Sequence, residues 1–270
     1  MRRIDLGEPD SPVSISSSFG AVDIAGFDKD SAAFFKANWT AGAQIHIVPS
    51  HWNFDQGSFV LVWVFANNEV DSVALSLNGS PIGEPQPVND TGWYHTEWNI
   101  SYAAGELSAT GYSKDGKTIV ASDTRETASA VASLNLTVDY VSASGLSADG
   151  SDVFMARVAV VDAKGRLVVD SDQVNVSFAV SQADAAVPLG TTGAIAEEGG
   201  AAEGVEEQGP RIFGVANGDP SCYESDKASW RTTFGGLARA IVQSGTTPGK
   251  VTLTASADGL GSAQVSVDAH

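Results

Sequence analysis

Phe59-Val60-Leu61-Val62-Trp63-Val64-Phe65 is continuously apolar, the pattern of a β-strand buried on both of its faces. Downstream, Val73, Leu75 and Leu77 alternate with Ala74 and Ser76, and Asn78-Gly79 then supplies a two-residue hairpin turn. Pro81, Pro85 and Pro87 keep the next segment out of regular pairing. Trp98-Asn99-Ile100, Leu107–Tyr112 and Thr118–Ala121 read as further strands, the last two joined by the turn Lys114-Asp115-Gly116-Lys117. Short strands at this spacing predict a small immunoglobulin-like β-sandwich over residues 57–130.

A second block follows over residues 131–270. Leu134, Leu136 and Val138 share one strand face, and Phe154, Ala156, Val158 and Val160 share another, before the turn Asp162-Ala163-Lys164-Gly165. Val174, Val176, Phe178 and Val180 point inward and leave Asn175 and Ser177 outside. Val251, Leu253 and Ala255, then Ala263, Val265 and Val267, complete a second immunoglobulin-like sandwich. An acidic insert at about 183–209, rich in Ala, Gly and Glu, interrupts it and reads as a disordered surface loop.

Upstream of both blocks, Phe19-Gly20-Ala21-Val22-Asp23-Ile24-Ala25-Gly26-Phe27-Asp28-Lys29-Asp30 reads as a strand, a glycine-bounded turn and a helix start. Asp28 and Asp30 place carboxylates at the N-terminus of a helical run from Ser31 to Ala37. One strand-loop-helix unit cannot bury its apolar face alone, so residues 1–56 look like the end of a larger body and its connector. Residues 1 to about 18 read as loop, and Gln44–Val48 as a short strand-like run ended by Pro49.

Composition excludes several classes. The net charge of −18 over 270 residues argues against nucleic acid and anionic membrane surfaces as partners. Cys222 is the single cysteine, so the fold rests on no internal disulfide. No apolar run reaches the length of about 18 residues that a membrane helix needs. Met1-Arg2-Arg3 leads into Asp5, Glu8 and Asp10 rather than an apolar core, so no secretory leader is visible. His46, His51, His95 and His270 show no metal-ligand spacing, and no cofactor motif is present. Asn-x-Ser/Thr sequons fall at Asn38, Asn78, Asn89, Asn99, Asn135 and Asn175, a number that a Ser/Thr-rich chain also produces by chance.

Taken together in this order, the motifs resemble the C-terminal part of glycoside hydrolase family 2, the β-galactosidase-like enzymes. Ser18–Asp30 looks like the last strand, loop and helix start of that family's (β/α)8 barrel, and Trp39 with His51-Trp52-Asn53 like the segment leaving it. Val73–Gly83 and Tyr102–Leu107 resemble landmarks of the following immunoglobulin-like domain. Leu146–Asp152, Asn217-Gly218-Asp219-Pro220 and Phe234–Ala238 resemble those of a terminal invasin-like domain. The resemblance implies a mainly β chain: two immunoglobulin-like sandwiches behind a strand-helix remnant of a barrel. It implies a parent enzyme that hydrolyses β-galactosides or related β-glycosides with retention, so carbohydrate is the partner class and the missing barrel is another. Such an enzyme needs two carboxylates about 5 Å apart, which in the family come from earlier barrel strands. Glu69, Glu84, Glu97, Glu106 and Glu126 sit in sandwich strands and turns, so no catalytic residue is assigned. A free-standing glycan-binding or adhesion module is the alternative.

Four residues are candidates for substrate contact. Asp23 would end a barrel strand at the face where active sites sit, able to bond sugar hydroxyls or to cap its own turn. Lys29 could reach a substrate oxygen or stand solvated at the helix start. His51 and Trp52 could form a platform for a sugar ring or pack between barrel and sandwich. Trp63 reads as core. Trp93, Tyr94 and Trp98 form a possible exposed aromatic strip, with Trp98 also fitting a core position.

Overall fold

The computed structural model describes residues 20–88, 95–183 and 208–270. The acidic stretch 184–207, the sequon at Asn89, and Trp93 and Tyr94 lie outside the described residues. Helix α1 (Asp30–Trp39) comes first, then β1 (Ile45–Val48), β2 (Phe59–Ala66), β3 (Ser72–Leu77) and the two-residue pieces β4 (Ser80–Pro81) and β5 (Gln86–Pro87). β6 (His95–Ser101), β7 (Glu106–Tyr112), β8 (Ile119–Glu126), β9 (Val131–Tyr140) and β10 (Val153–Asp162) follow. β11 (Asn175–Ala183), β12 (Arg211–Ala216), β13 (Trp230–Thr232), β14 (Leu237–Gln243), β15 (Gly249–Ala257) and β16 (Gly261–Ala269) complete the chain. The chain is mainly β, and its described residues divide into two units.

The first unit takes the chain up to Ala130 together with the loops Asp162–Asp170 and Gly218–Tyr223. Its sheets run β1-β2-β6 and β4-β3-β7-β8, with β5 also on β3. Val60, Val62 and Val64 from β2, Trp98 and Ile100 from β6, Val73 and Leu75 from β3, and Leu107 and Ala109 from β7 share one core. Asn78 and Gly79 both take positive φ, 52° and 76°, the backbone that a tight hairpin requires and that Asn and Gly tolerate. The Asn78 side chain latches the hairpin to β7: its Oδ1 accepts from the Glu106 N–H at 2.8 Å, and its Nδ2 donates to the Ala104 carbonyl. This sandwich also recruits residues from before 57. β1 pairs along β2, and Trp52 is fully buried in the core.

Three expectations are corrected here. β2 is buried on one face only: Val60, Val62, Val64 and Ala66 are inside, whereas Phe59 is 78% and Leu61 54% exposed. Trp63 shares that outer face, so it is half-buried rather than core; its ring lies against His95 at 4.8 Å. Upstream, no full strand forms at 20–25. Val22 makes an isolated antiparallel bridge with Asp28, closed by Asp23 N–H to the Phe27 carbonyl and Lys29 N–H to the Ala21 carbonyl, both 2.9 Å. A parallel barrel strand needs neighbours on both sides, and among the described residues none pairs there.

The second unit holds Val131–Val161, Ser171–Asn217 and Glu224–His270. Sheets β12-β14-β10-β9 and β13-β11-β15-β16 close over Phe154, Val158, Phe178, Val242, Leu253 and their neighbours. The period-2 phasing is as read: Asn135, Asn175 and Ser177 face out, and Leu134, Leu136, Val176 and Phe178 face in. β12, β13 and β14 are additional strands, and β14 fills the middle of its sheet between β12 and β10. Arg231 on β13 is 4% exposed. Its guanidinium donates to the carbonyls of Val215, Glu224 and Ser225 at 2.9–3.1 Å, which compensates the desolvation of a buried charge.

Candidate functional site

Asp23 sits in the bridged turn. Its Oδ1 accepts from the N–H groups of Ala25 and Phe27, both 2.9 Å. The carboxylate therefore shapes its own loop, as Asp side chains do in turns. Its Oδ2 faces Gly218: a Cβ at that glycine would fall 2.0 Å from it. Only glycine admits this approach. Lys29 precedes α1 as its N-cap residue in extended conformation, with no side-chain capping bond.

His51 is half-buried and stacks on Phe54 at 4.8 Å, its Nδ1 accepting from the Asn53 N–H at 3.3 Å. Burial pushes the His51 imidazole below its ordinary pKa, against the upward pull of Asp170 and Asp30. Trp52, by contrast, is closed off. At 0% exposure it packs edge-on to Tyr102 at 5.1 Å and Phe54 at 5.7 Å, and its Nε1 donates to the Ala103 carbonyl at 3.1 Å. In this chain it offers no face to a sugar ring, so the platform expected of it is corrected to core packing. Trp98, 7% exposed, also belongs to the core.

Sequence reasoning missed a polar cluster that joins α1, β1 and β8. His46 Nε2 lies 3.3 Å from Asp30 Oδ1 and 3.2 Å from Ser50 Oγ, and Ser50 donates to the same Asp30 oxygen. Arg125 Nη2 reaches His46 Nδ1 at 3.3 Å and the Ile47 carbonyl at 3.1 Å, while its Nη1 bonds Asp123 Oδ1 at 2.6 Å. Asp123 Oδ2 in turn accepts from the Ile47 N–H at 2.8 Å. Serine, histidine and aspartate together invite comparison with a nucleophilic relay. The geometry rejects it. Arg125 can only donate, so Nδ1 of His46 must accept and the ring proton sits on Nε2. That proton points at Asp30 and Ser50, leaving no base to take the serine's hydrogen. Asp123 is 3.8 Å from Nδ1, beyond hydrogen-bond range. Burial alone would raise the Asp30 carboxyl, but hydrogen bonds from His46 and Ser50 and the charge of Arg125 prevail and hold it below its usual pKa. The cluster is a cross-brace between elements far apart in sequence.

A glycosidase acid needs a raised pKa. The carboxyls of Asp30, Asp115, Asp149 and Asp162 are all displaced downward. Asp115 is held down chiefly by Thr118, Asp149 by the Ser151 N–H, and Asp162 by the Arg166 guanidinium. Among the described residues, no group of three His, Cys, Asp or Glu side chains is arranged to hold a metal ion. No helix among them is long and apolar enough to cross a membrane.

Comparison with known proteins assigns the chain. Residues 204–266 match the model of glycoside hydrolase family 2 C-terminal domain 5, and residues 57–120 match a domain of unknown function, DUF4982. The chain carries the C-terminal region of glycoside hydrolase family 2. It is 32% identical over 255 residues to beta-galactosidase BoGH2A of Bacteroides ovatus, covering 94% of this chain and 26% of that protein. It is 33% identical over 156 residues to a beta-glucuronidase of Formosa agariphila, covering 57% of this chain and 15% of that protein. The crystal structure of a family 2 glycosyl hydrolase from Bacteroides cellulosilyticus superimposes with a TM-score of 0.74 at 25% identity, covering 93% of this chain and 31% of that one. The chain thus spans about a quarter of the length of the family 2 beta-galactosidase it matches.

Proposed function

We propose that this chain is the C-terminal accessory region of a family 2 glycoside hydrolase whose complete form hydrolyses β-galactosides or related β-glycosides. In this reading the chain has no activity by itself. The carrying observation is the mismatch of extents: 94% of this chain aligns with only 26% of a beta-galactosidase. Residues 1–56 are taken as the end of the catalytic barrel and its connector, 57–130 as the first sandwich and 131–270 as the second. β1 and Trp52 are the connector's contribution to the first sandwich.

Within that role, Asp23, Lys29 and His51 are the residues proposed to face the cleft. Asp23 and Lys29 share one bridged turn, and His51 lies close enough to Asp30, the neighbour of Lys29, to feel its charge. Asp23 would act by holding the turn that presents Lys29. Carbohydrate is the ligand, reached through the complete enzyme, with no part for nucleic acid or membrane.

The test is the mass of the native product, probed with antibody against residues 57–270. A band several times larger than this chain supports the reading. A band at the mass of 270 residues contradicts it and moves the question to glycan binding by the isolated sandwiches.

A further inference from the structure

The second sandwich carries a positively charged face on an acidic chain. The outward positions of sheet β12-β14-β10-β9 hold three arginines, Arg157, Arg211 and Arg239, and one carboxylate, Asp139. The chain as a whole has 15 Lys and Arg against 33 Asp and Glu, so this face reverses the balance. Arg157 and Arg239 stand directly opposite each other across β10 and β14, and like charges in that position repel. Asp139 is shared between them, 3.4 Å from Arg157 Nη2 and 2.9 Å from Arg239 Nη2. One carboxylate thus serves two guanidiniums, and the Arg157 side chain stays 44% exposed. Arg211, also exposed, faces Gln243, four residues along β14 from Arg239, which sets it roughly 14 Å away. Between these charged points lies Phe213, lifted out of the ladder by the β-bulge between Ile212 and Gly214. Its ring is 42% exposed, with Lys227 Nζ 4.6 Å from the ring centre.

We propose that this face binds a polyuronate, a polysaccharide whose sugars carry carboxylates. Arginine forks take carboxylates through paired hydrogen bonds, and a ligand carboxylate beside Arg157 relieves a repulsion that Asp139 otherwise answers alone. Two cationic points about 14 Å apart, with a ring between them, fit an extended chain of several sugars rather than one small anion. Phe213 supplies apolar surface for the C–H groups of a sugar ring, while the Lys227 ammonium held over it adds a further cation. The net charge of −18 does not cancel the patch, because charges farther off than about 8 Å are largely screened at physiological salt. The choice of sugar as ligand rests on the accessory role proposed above. Within that role the second sandwich anchors the complete enzyme to an acidic polymer.

The test uses the whole 270-residue chain in about 0.15 M salt, with polygalacturonate as the probe. Dextran serves as a neutral polysaccharide and poly-glutamate as a polyanion without sugar rings, and binding is read by titration calorimetry. Arg157→Gln combined with Arg211→Gln alters two exposed side chains, and a melting curve verifies that the variant folds. Lys250→Gln, 55% exposed on the other sheet of the same sandwich, is the control. The unchanged chain is expected to bind polygalacturonate and neither of the other polymers. The double variant weakens that binding roughly tenfold or more, the effect of losing hydrogen bonds to charged groups, while the control stays within about twofold. A double variant that binds like the unchanged chain, equal binding of either comparison polymer, or no binding of polygalacturonate overturns the site. Each of these leaves the accessory role standing, since the mass of the native product decides that role. A native product of only 270 residues overturns the role whether or not polygalacturonate binds.

Discussion

Replacing Trp52 by alanine separates a core tryptophan from a sugar platform. The ring is fully buried, and a tryptophan removes roughly 150–250 Å² from water. At about 25 cal/mol per Å² the transfer term is about 4–6 kcal/mol, an upper bound because the unfolded chain is itself partly compact. Two edge-on contacts, to Tyr102 and Phe54, disappear with it. The Ala103 carbonyl also loses the Nε1 donor, and a buried unpaired group costs about 1–3 kcal/mol. Partial collapse of the site returns some of this, so the expected loss is about 4 kcal/mol, within the usual range for Trp→Ala. For a unit of this size that lowers Tm by roughly 10–15 °C. Calorimetry and urea unfolding followed by far-UV circular dichroism avoid relying on the fluorescence of the deleted ring. Trp52→Phe, which keeps most of the packing and loses only the N–H donor, should cost about 1–2 kcal/mol. A loss below about 1 kcal/mol for Trp52→Ala would refute the buried placement and reopen the platform reading.

Further outcomes follow from single contacts. Gly79→Ala should cost about 1 kcal/mol, because φ is 76° but nothing lies within 4 Å of the new Cβ. Gly105→Ala should cost distinctly more in the same urea titration, since its Cβ would fall 1.8 Å from Asn78 Oδ1 and break the hairpin latch. His51 has a lowered folded pKa, so the unfolded chain binds the proton first. Stability is then fully present above about pH 6.5 and falls as pH drops from there toward the folded value. His51→Gln should flatten that part of a Tm-versus-pH curve, and an unchanged slope would count against the burial assigned to the ring. Arg231→Leu should cost about 2–4 kcal/mol in the second unit by leaving the carbonyls of Val215, Glu224 and Ser225 without their donor.

Much of the fold was legible because strand phasing is a local property. Val174 to Val180 and Val251 to Ala255 alternate strictly, and Asn78-Gly79 can hardly be anything but a tight turn. The error at β2 has a physical origin: hydropathy records that Phe59 and Leu61 are apolar, not what covers them. β14 is hard to read although Ala238, Ala240 and Val242 alternate inward, because the inward alanines are small and Leu237 and Ile241 on the outer face are apolar. The brace around His46 was invisible for a different reason. Asp30, His46, Ser50, Asp123 and Arg125 are brought together by non-local packing of α1, β1 and β8, and no spacing in the chain announces it. At the turn, the motif Asn217-Gly218-Asp219-Pro220 is legible only as a landmark. The close approach of Gly218 to Asp23 is something that sequence cannot display.

The most direct measurement is hydrolysis of aryl β-galactosides and aryl β-glucuronides by the purified 270-residue chain alone. An accessory region without a tuned carboxylate pair gives no turnover above the buffer blank at any chain concentration. Turnover that follows the chain through purification and is abolished by replacing one of its own carboxylates would contradict the account.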